Sequence, residues 1–412
     1  MSPSNAQSSV NAPARHAVHP LPTTLPPRQS RPLPTLGIIG GGQLAKMIAQ
    51  SARQLGCDIA VLERQEHSPA ADLTTHHIIG DWDNPETLLS LGHVSDVVTL
   101  ENEFVSADSL AALERFGHGL WPTAANIRIV QDKLTQKQAL VNAGLPVPRF
   151  LAVSDKQAVA AAAETLGWPL LLKKRRCGYD GKGNFTVRSA ADIELAWKQL
   201  GGDDNELYVE EFCSFTAELA IMITRGRDSS TVSYPLVETI QRDHICHVVK
   251  SPATVPPEIA ARATDIAQRA VSALSGVGSV GIEMFLTADG NILINEMAPR
   301  VHNSGHYTIE ACVCSQFENH VRAVMGWPLG STAMRSPAAV MVNLLGAAKG
   351  TGQPRGIEAA LQIPGAHIHV YGKTTSSPGR KMGHITALGE TVEQALERAQ
   401  RAAAAIRFGD LV

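Results

Sequence analysis

One segment limits the fold more than any other: Gly281–Glu296, which reads GIEMFLTADGNILINE. Two β-type runs flank Asp289-Gly290, the dipeptide favoured in a two-residue type I′ hairpin turn. With that turn Ala288 pairs with Asn291. Counting outward rung by rung then brings Glu283 directly opposite Glu296 on one face of the hairpin. Opposed side chains have Cβ atoms roughly 4.5–5.5 Å apart, and two carboxylates at about 5 Å repel by roughly 3 kcal/mol at an effective dielectric of about 20. Such a pair needs a cation, a shared proton or free access to water. A hard divalent ion bound through oxygen answers the need, Mg²⁺ beside a phosphate being the expected case. A proton-sharing pair and a pair splayed into solvent are the alternatives.

The chain before the hairpin alternates strand and helix signals. Leu36–Ile39 is a short apolar run, Gly40–Gly42 a glycine turn, and Gln43–Leu55 has helical periodicity through Leu44, Met47, Ile48 and Leu55. Ile59–Leu62 and Asp96–Leu100 read as further strands, so the first domain is expected to be a parallel sheet covered on both faces. Gly40-Gly41-Gly42-Gln43-Leu44-Ala45 satisfies G-x-G-x-x-A, and Glu63 ends the next strand. A dinucleotide, another phosphorylated ligand, or a turn needed only for tight packing all satisfy this pattern, because oriented N–H groups serve any anion.

Further on, a helix is expected near Lys133–Ala143 and a strand at Leu170–Lys173 that runs into Lys174-Arg175-Arg176-Cys177-Gly178-Tyr179-Asp180-Gly181-Lys182-Gly183-Asn184. Glycines interleaved with charge suit a flap that closes N–H groups over phosphates, or else a solvated basic hairpin. A helix near Asp192–Leu200 leads to a strand at Leu207–Phe212, which ends in acids before Cys213 and Glu218. A strand edge there suits an adenine and a carboxylate suits ribose hydroxyls; surface charge is the plainer reading of any one acid. Strands at Val280–Thr287, Asn291–Met297 and His367–Tyr371 and an Ala-rich helix at Val392–Ile406 complete the pattern.

Composition sets the outer limits. A net charge of −3 over 412 residues excludes a general polyanion binder and so nucleic acid, and no apolar run approaches the roughly 18 residues that span a bilayer. Six scattered cysteines without a C-x-x-C pair read as reduced thiols of a cytoplasmic protein. Residues 1–34 hold eight of the 24 prolines, three arginines and no acid, which points to a disordered tail. A transit peptide is the alternative, but it requires an amphipathic helix that this proline density forbids.

The order of a phosphate-directed lysine, a glycine flap, an adenine edge and a carboxylate hairpin resembles the ATP-grasp superfamily, and within it the N5-carboxyaminoimidazole ribonucleotide synthetase family of biotin-independent carboxylases. The resemblance covers about residues 36–390 and rests on GGGQLAKM (Gly40–Met47), DKLTQK (Asp132–Lys137), GYDGKGN (Gly178–Asn184), INEMAPRVHNSGH (Ile294–His306) and PGRKMGHI (Pro378–Ile385). It implies an α/β, three-domain ATP-grasp architecture: a tail over 1–34, a glycine-turn parallel-sheet domain over 35–131, an ATP-grasp domain over 132–328 with a flap subdomain over about 145–207, and a small C-terminal domain over 329–412.

By the same resemblance, ATP meets Lys133, Lys173, the loop Gly178, Tyr179, Asp180, Gly181, Lys182, Gly183 and Asn184, then Glu210, Glu211, Phe212, Cys213, Glu218, Asn295 and Glu296. Gln241, which takes a place that is His in some members, is expected to meet ATP as well. Mg²⁺, with Mn²⁺ as a substitute, sits on Glu283 and Glu296. Aminoimidazole ribonucleotide lies between domains, its phosphate on the glycine turn at Gln43 and Leu44 and on Lys373, Arg380 and Lys381, its base and ribose near Tyr179, Asp180, Glu101, Glu103, His302, Asn303 and Ser304. The implied reaction is ATP-dependent carboxylation of that ribonucleotide by bicarbonate in purine biosynthesis. Arg300 holds bicarbonate, His302 and Asp180 handle a proton (the imidazole because it titrates near neutral pH), and Lys182 takes part from the flap. Family members are often homodimers. The rivals are another ATP-grasp ligase, such as a formate-dependent glycinamide ribonucleotide transformylase, and an NAD(P) oxidoreductase resting on Gly40–Ala45 and Glu63 alone.

Overall fold

The computed structural model describes residues 33–178 and 183–409. The proline-rich segment before Leu33, and Tyr179, Asp180, Gly181 and Lys182, for which nucleotide, substrate and catalytic roles are expected, lie outside the described residues. From Leu33 onward the chain forms one compact unit.

In its first part β1 (Thr35–Ile39), α1 (Gln43–Gln54), β2 (Asp58–Glu63), β3 (His76–Ile79), α2 (Pro85–Val94), β4 (Val97–Leu100), α3 (Ala107–Arg115) and β5 (Gly119–Leu120) alternate. The strands pair in parallel in the order β3-β2-β1-β4-β5. Every residue of β1 is buried, as a central strand covered on both faces requires. Leu36 and Ile38 join one apolar cluster with Ala45 and Ile48 of α1, while Ile39 joins another with Leu88, Leu110 and Leu113. The chain order reverses at β1, so the glycine turn opens at a switch point where ligands commonly bind in such sheets.

Next come α4 (Ala124–Gln131) and α5 (Lys133–Asn142). Asp132 caps α5: its carboxylate accepts from the N–H groups of Leu134 and Thr135 and from Arg175. The following β6 (Phe150–Val153), α6 (Lys156–Leu166), β7 (Leu170–Lys174), β8 (Asn184–Val187), α7 (Ile193–Leu200) and β9 (Leu207–Glu211) build an antiparallel sheet in the order β6-β9-β7-β8.

The rest comprises β10 (Ala217–Arg225), β11 (Thr231–Ser233), β12 (Val237–Arg242), β13 (Ile245–Ser251), α8 (Pro257–Leu274), β14 (Gly278–Leu286), β15 (Ile292–Ala298), α9 (Thr308–Ala311), α10 (Gln316–Met325), β16 (Ala338–Leu345), β17 (Gly350–Thr351), α11 (Ile357–Leu361), β18 (Ala366–Val370), β19 (Thr375–Ser376), β20 (Lys381–Gly389) and α12 (Val392–Ala405). One antiparallel sheet, β15-β14-β10-β12-β13-β16-β20-β18 with β11 beside β10, holds all of these strands except β17 and β19, which pair with each other. Helix α8 packs Ala267, Ala270 and Val271 against Leu219, Ile221 and Ile282 on one end, and α12 packs Ala395, Ala399 and Ala402 against Val340, Val342 and Ile385 on the other. The small alanine face lets the last helix lie close to the sheet.

The hairpin departs from the expected turn. Thr287, not Ala288, faces Asn291, with Thr287 N–H donating to Asn291 O (3.0 Å) and Gly290 N–H donating to Thr287 O (2.9 Å). The loop therefore has three residues, Ala288-Asp289-Gly290, and Gly290 takes the left-handed φ of 78° that such a loop needs. The register beyond it is displaced by one: Leu286 faces Ile292 and Met284 faces Ile294. A bulge on β15 then inserts Asn295, and Glu283 faces Glu296 after all. The opposition is as expected and the route to it is not: the turn and the bulge each shift the register by one, and the shifts cancel.

Candidate active site

Glu283 on β14 and Glu296 on β15 lie on one rung, and Lys133 at the start of α5 donates to Glu296 Oε2 at 2.6 Å. Among the described residues nothing bonds Glu283 so directly; His302 Nε2 stands 3.6 Å from its Oε1. Desolvation, then Glu296 and Glu218, push the Glu283 carboxyl above its ordinary range against the pull of Lys133 and Lys381. Burial opposes the charge on Lys133, but Glu296 outweighs it and holds the ammonium above its ordinary range. One lysine thus serves two crowded carboxylates. That oxygen-only, electron-rich pair fits a divalent cation of the Mg²⁺ kind, for which one or two carboxylates with phosphate and water oxygens suffice. No cluster of three or more metal-ligating side chains is found among the described residues, so the rest of the coordination would come from a nucleotide.

Lys173 points into a buried network. Glu210, 1% exposed, accepts from Lys173 (2.8 Å), from Lys137 (3.0 Å) and from the Tyr208 hydroxyl (2.7 Å). Burial works against its charge, but the two lysines hold it down at about 2. Lys137, pushed down to about 8 by burial, went unassigned in the sequence. Its signal was there: it lies one turn after Lys133, on the same face of α5. The expected strand edge for adenine is also corrected. Strand β9 is central, paired with β6 and β7 as far as Glu210 and Glu211, so only Phe212 and Cys213, past the pairing, have backbone outside the ladder. Glu210 is the counter-ion of the lysines, and Glu211 turns outward to Arg149 (2.7 Å). Glu218, raised by burial, is hydrogen-bonded by Gln241.

At the flap, Gly178 and Gly183 meet backbone to backbone. A Cβ on Gly183 would stand 2.7 Å from Gly178 Cα, so the neck admits only glycine there, and Asn184 pairs with Lys173 on β7. The Cβ position of Gly178 is 3.9 Å from Lys133 Nζ, which brings the neck to the lysine that holds Glu296. A cavity of about 340 Å³ lined by Glu103, Gln131, Lys133, Cys177, Gly178 and Glu296 opens at this junction.

Across the hairpin, Arg300 grips Glu103: Nη2 donates to Oε1 at 3.0 Å, Nε donates to Oε2, and Nη1 donates to Val301 O. The edge of the guanidinium expected to fork onto bicarbonate is thus already occupied. His302 Nδ1 meets Ser304 Oγ at 2.9 Å. Burial, then Arg300 and Lys381, push this imidazole down to about 3, so the premise that it titrates near neutral pH does not hold. Asn303 exchanges two amide hydrogen bonds with Asn343 (3.0 and 2.6 Å), and Ser304 is buried. Lys381 acts electrostatically on Glu283 and His302, Lys373 Nζ donates to Lys381 O at 2.7 Å, and Arg380 donates to Thr375 (2.6 Å).

The glycine turn is largely filled from within. Gly41 N–H donates to Glu63 Oε2 (2.8 Å), Gly42 N–H to Glu101 Oε1 (2.7 Å) and Ala45 N–H to Glu101 Oε2 (3.0 Å). A Cβ on Gly42 would stand 2.5 Å from Glu101 Oε1. Glu63 therefore does not read a ribose, and the dinucleotide reading loses its acid. Gln43 and Leu44 begin α1, where first-turn N–H groups have no partner within the helix.

Three family models match in order: the ribonucleotide synthetase preATP-grasp domain over 33–131, the ATP-grasp domain over 138–317, and the phosphoribosylaminoimidazole carboxylase C-terminal domain over 339–398. The chain is 42% identical to the N5-carboxyaminoimidazole ribonucleotide synthase of Synechococcus elongatus over 90% of this chain and 93% of that one. It is also 42% identical to the chloroplastic phosphoribosylaminoimidazole carboxylase of Vigna aconitifolia, over 87% of this chain, and spans 64% of that protein's length. The crystal structure of N5-carboxyaminoimidazole synthase from Aspergillus clavatus in complex with ADP and 5-aminoimidazole ribonucleotide superimposes with a TM-score of 0.83 at 37% identity, covering 90% of this chain and 98% of that one. With its α/β elements, carboxylate hairpin and glycine neck in the matching order, the chain belongs to the N5-carboxyaminoimidazole ribonucleotide synthetase family of ATP-grasp enzymes.

Proposed function

We infer that this chain is an ATP-dependent carbon–nitrogen ligase that carboxylates 5-aminoimidazole ribonucleotide with bicarbonate to N5-carboxyaminoimidazole ribonucleotide in purine biosynthesis. The observation that carries the reading is the Glu283–Glu296 rung with Lys133 upon it, beside the glycine neck and facing Lys381, His302 and Arg300. Phosphate chemistry on one side thus meets cations suited to a second, anionic substrate on the other.

Bicarbonate is a poor electrophile because its carbon is electron-rich and its leaving group is hydroxide. Attack by a bicarbonate oxygen on the γ-phosphorus expels ADP and makes carboxyphosphate. The exocyclic amine then adds to that carbon, or to CO₂ released from it, phosphate departs and the nitrogen loses one proton. Glu283 and Glu296 would hold Mg²⁺, which supplies charge neutralisation at the β- and γ-phosphates. Lys133 adds to it, and Lys173 orders Glu210 and the strand leading to Phe212 and Cys213, while carboxyphosphate, which hydrolyses readily, needs water kept from it. Arg300 and Lys381 supply positive charge for the bicarbonate and the intermediate. His302, whose Nδ1 accepts from the Ser304 N–H, carries its proton on Nε2 and so serves as a donor there, and the departing phosphate is the base for the proton. Lys373, Arg380 and the N–H groups of Gln43 and Leu44 are the proposed hold on the ribonucleotide phosphate. The same reading takes the working unit as a cytoplasmic homodimer, which sedimentation and fractionation would test.

Phosphate release is the test. It should require aminoimidazole ribonucleotide and bicarbonate together; release driven by glycinamide ribonucleotide plus formate would assign the chain to a different ATP-grasp ligase.

A further inference from the structure

Strand β15 is the outer strand of the long sheet, so only β14 pairs with it and no second strand on its open side helps to fix its register. Here the first turn of α5 and the chain beyond it take the neighbour's place. Gln136 Oε1 accepts from Met297 N–H (2.9 Å) while Gln136 Nε2 donates to Met297 O (3.0 Å) and to Val130 O (3.2 Å). Lys137 Nζ donates to the carbonyl of the bulged Asn295 (3.1 Å), and Ile294 N–H donates to Pro146 O (2.8 Å). Gln136 is 2% exposed, and both ends of its amide are used on backbone. The two residues flanking Glu296 are therefore gripped by side chains one position apart on α5, while Lys133, one turn earlier, holds Glu296 itself.

We propose that Gln136 is a positioning residue, a side chain that stands in for a missing strand and stabilises the extra residue at Asn295, so that Glu296 and not Asn295 stands opposite Glu283. Without it the displaced register set by the three-residue turn continues along the hairpin. Glu283 then faces Asn295, and Glu296 moves one place along β15, which turns its side chain to the other face. The proposal rests on the reading of Glu283 and Glu296 as the metal carboxylates, and it adds what keeps them together. Lys137 assists by occupying the carbonyl that the bulge leaves without a strand partner.

The test measures ADP affinity by calorimetry with and without Mg²⁺, and backbone amide exchange across 293–298 in nucleotide-free protein, for the parent chain and Gln136→Met. The variant keeps the length of the side chain and loses its hydrogen bonds. The expected result is that the Mg²⁺-dependent tightening of ADP falls by about tenfold or more, metal-free ADP affinity stays within about twofold, and the Met297 amide exchanges about tenfold faster or more. Unchanged Mg²⁺-dependent tightening together with unchanged exchange overturns the proposal. A parent chain whose ADP affinity ignores Mg²⁺ refutes the metal reading instead, and the exchange measurement then judges the clamp alone. If Gln136→Met does not fold, Gln136→Glu, which keeps the acceptor for Met297 N–H and loses the donor to Met297 O, carries the same comparison.

Discussion

The glycine turn and the carboxylate hairpin face the same electrostatic problem and resolve it in opposite ways. At the turn, the acids Glu63 and Glu101 fold onto N–H groups of Gly41, Gly42 and Ala45, so a cradle built for an anion is mostly occupied by the chain's own carboxylates. At the hairpin, a carboxylate faces a carboxylate with one lysine between the pair and the flap. The first arrangement is nearly satisfied within the chain; the second is satisfied only when something positive arrives. A motif that advertises binding can be spent on structure, whereas a carboxylate pair with one lysine to share marks where a ligand acts.

Replacing Glu296 by Gln cuts deepest into that contrast. Turnover with Mg²⁺-ATP should fall by about 10⁴-fold, about 5 kcal/mol of barrier, with the circular dichroism spectrum unchanged; activity near that of the parent would mean the pair is not the metal site.

The buried lysine network offers a third solution, charge matched inside the fold. Glu210→Gln leaves Lys137 and Lys173 buried without their counter-ion and should cost about 3 kcal/mol at pH 7 by urea unfolding. Because the folded pKa of Glu210, about 2, lies below that of the unfolded chain, the unfolded state binds more protons in this window. The parent therefore loses the contribution as pH falls from about 4.3 through about 2, and the gap between parent and variant should narrow over that range. A gap that widened with acid would refute the network.

Glu101→Ala empties the glycine turn. It leaves the Gly42 and Ala45 N–H groups without acceptors, at a cost of about 2 kcal/mol. Inorganic phosphate should then raise the melting temperature of the variant more than that of the parent. Equal responses would show that the turn is no anion cradle.

The smallest effect is expected where ligand contacts are shared. Lys373→Ala with Arg380→Ala should raise KM for the ribonucleotide about tenfold, about 1.4 kcal/mol, and leave KM for ATP nearly unchanged. Equal rises in both would remove these residues from the phosphate of the ribonucleotide.

Much of the hairpin is legible in the residues alone. Alternation of period two decides which side chains share a face, so Glu283 and Glu296 can be paired from spacing, although the Asp-Gly signal implies a turn one residue too short and nothing in the spacing marks the bulge at Asn295. The two slips cancel because each changes the count by one. Strands β12, β13 and β16 escape a reading by motif because their apolar runs carry none, and their place in one long sheet follows from pairing between distant segments. Gln136 and Lys137 stay hidden for a related reason: an amide that mimics a strand partner looks like any polar residue on a helix.

By itself the chain's order of residues determined what is local: strand, glycine turn, helix cap and the parity that puts two acids on one face. Only the tertiary structure decided which charge meets which. Lys133 reaches Glu296 across 163 positions, Glu101 reaches Gly42 across 59, and Arg300 reaches Glu103 across 197. Short-range conformational preferences leave a pattern within a few residues, but a hydrogen bond between segments that distant leaves none until packing has brought them together.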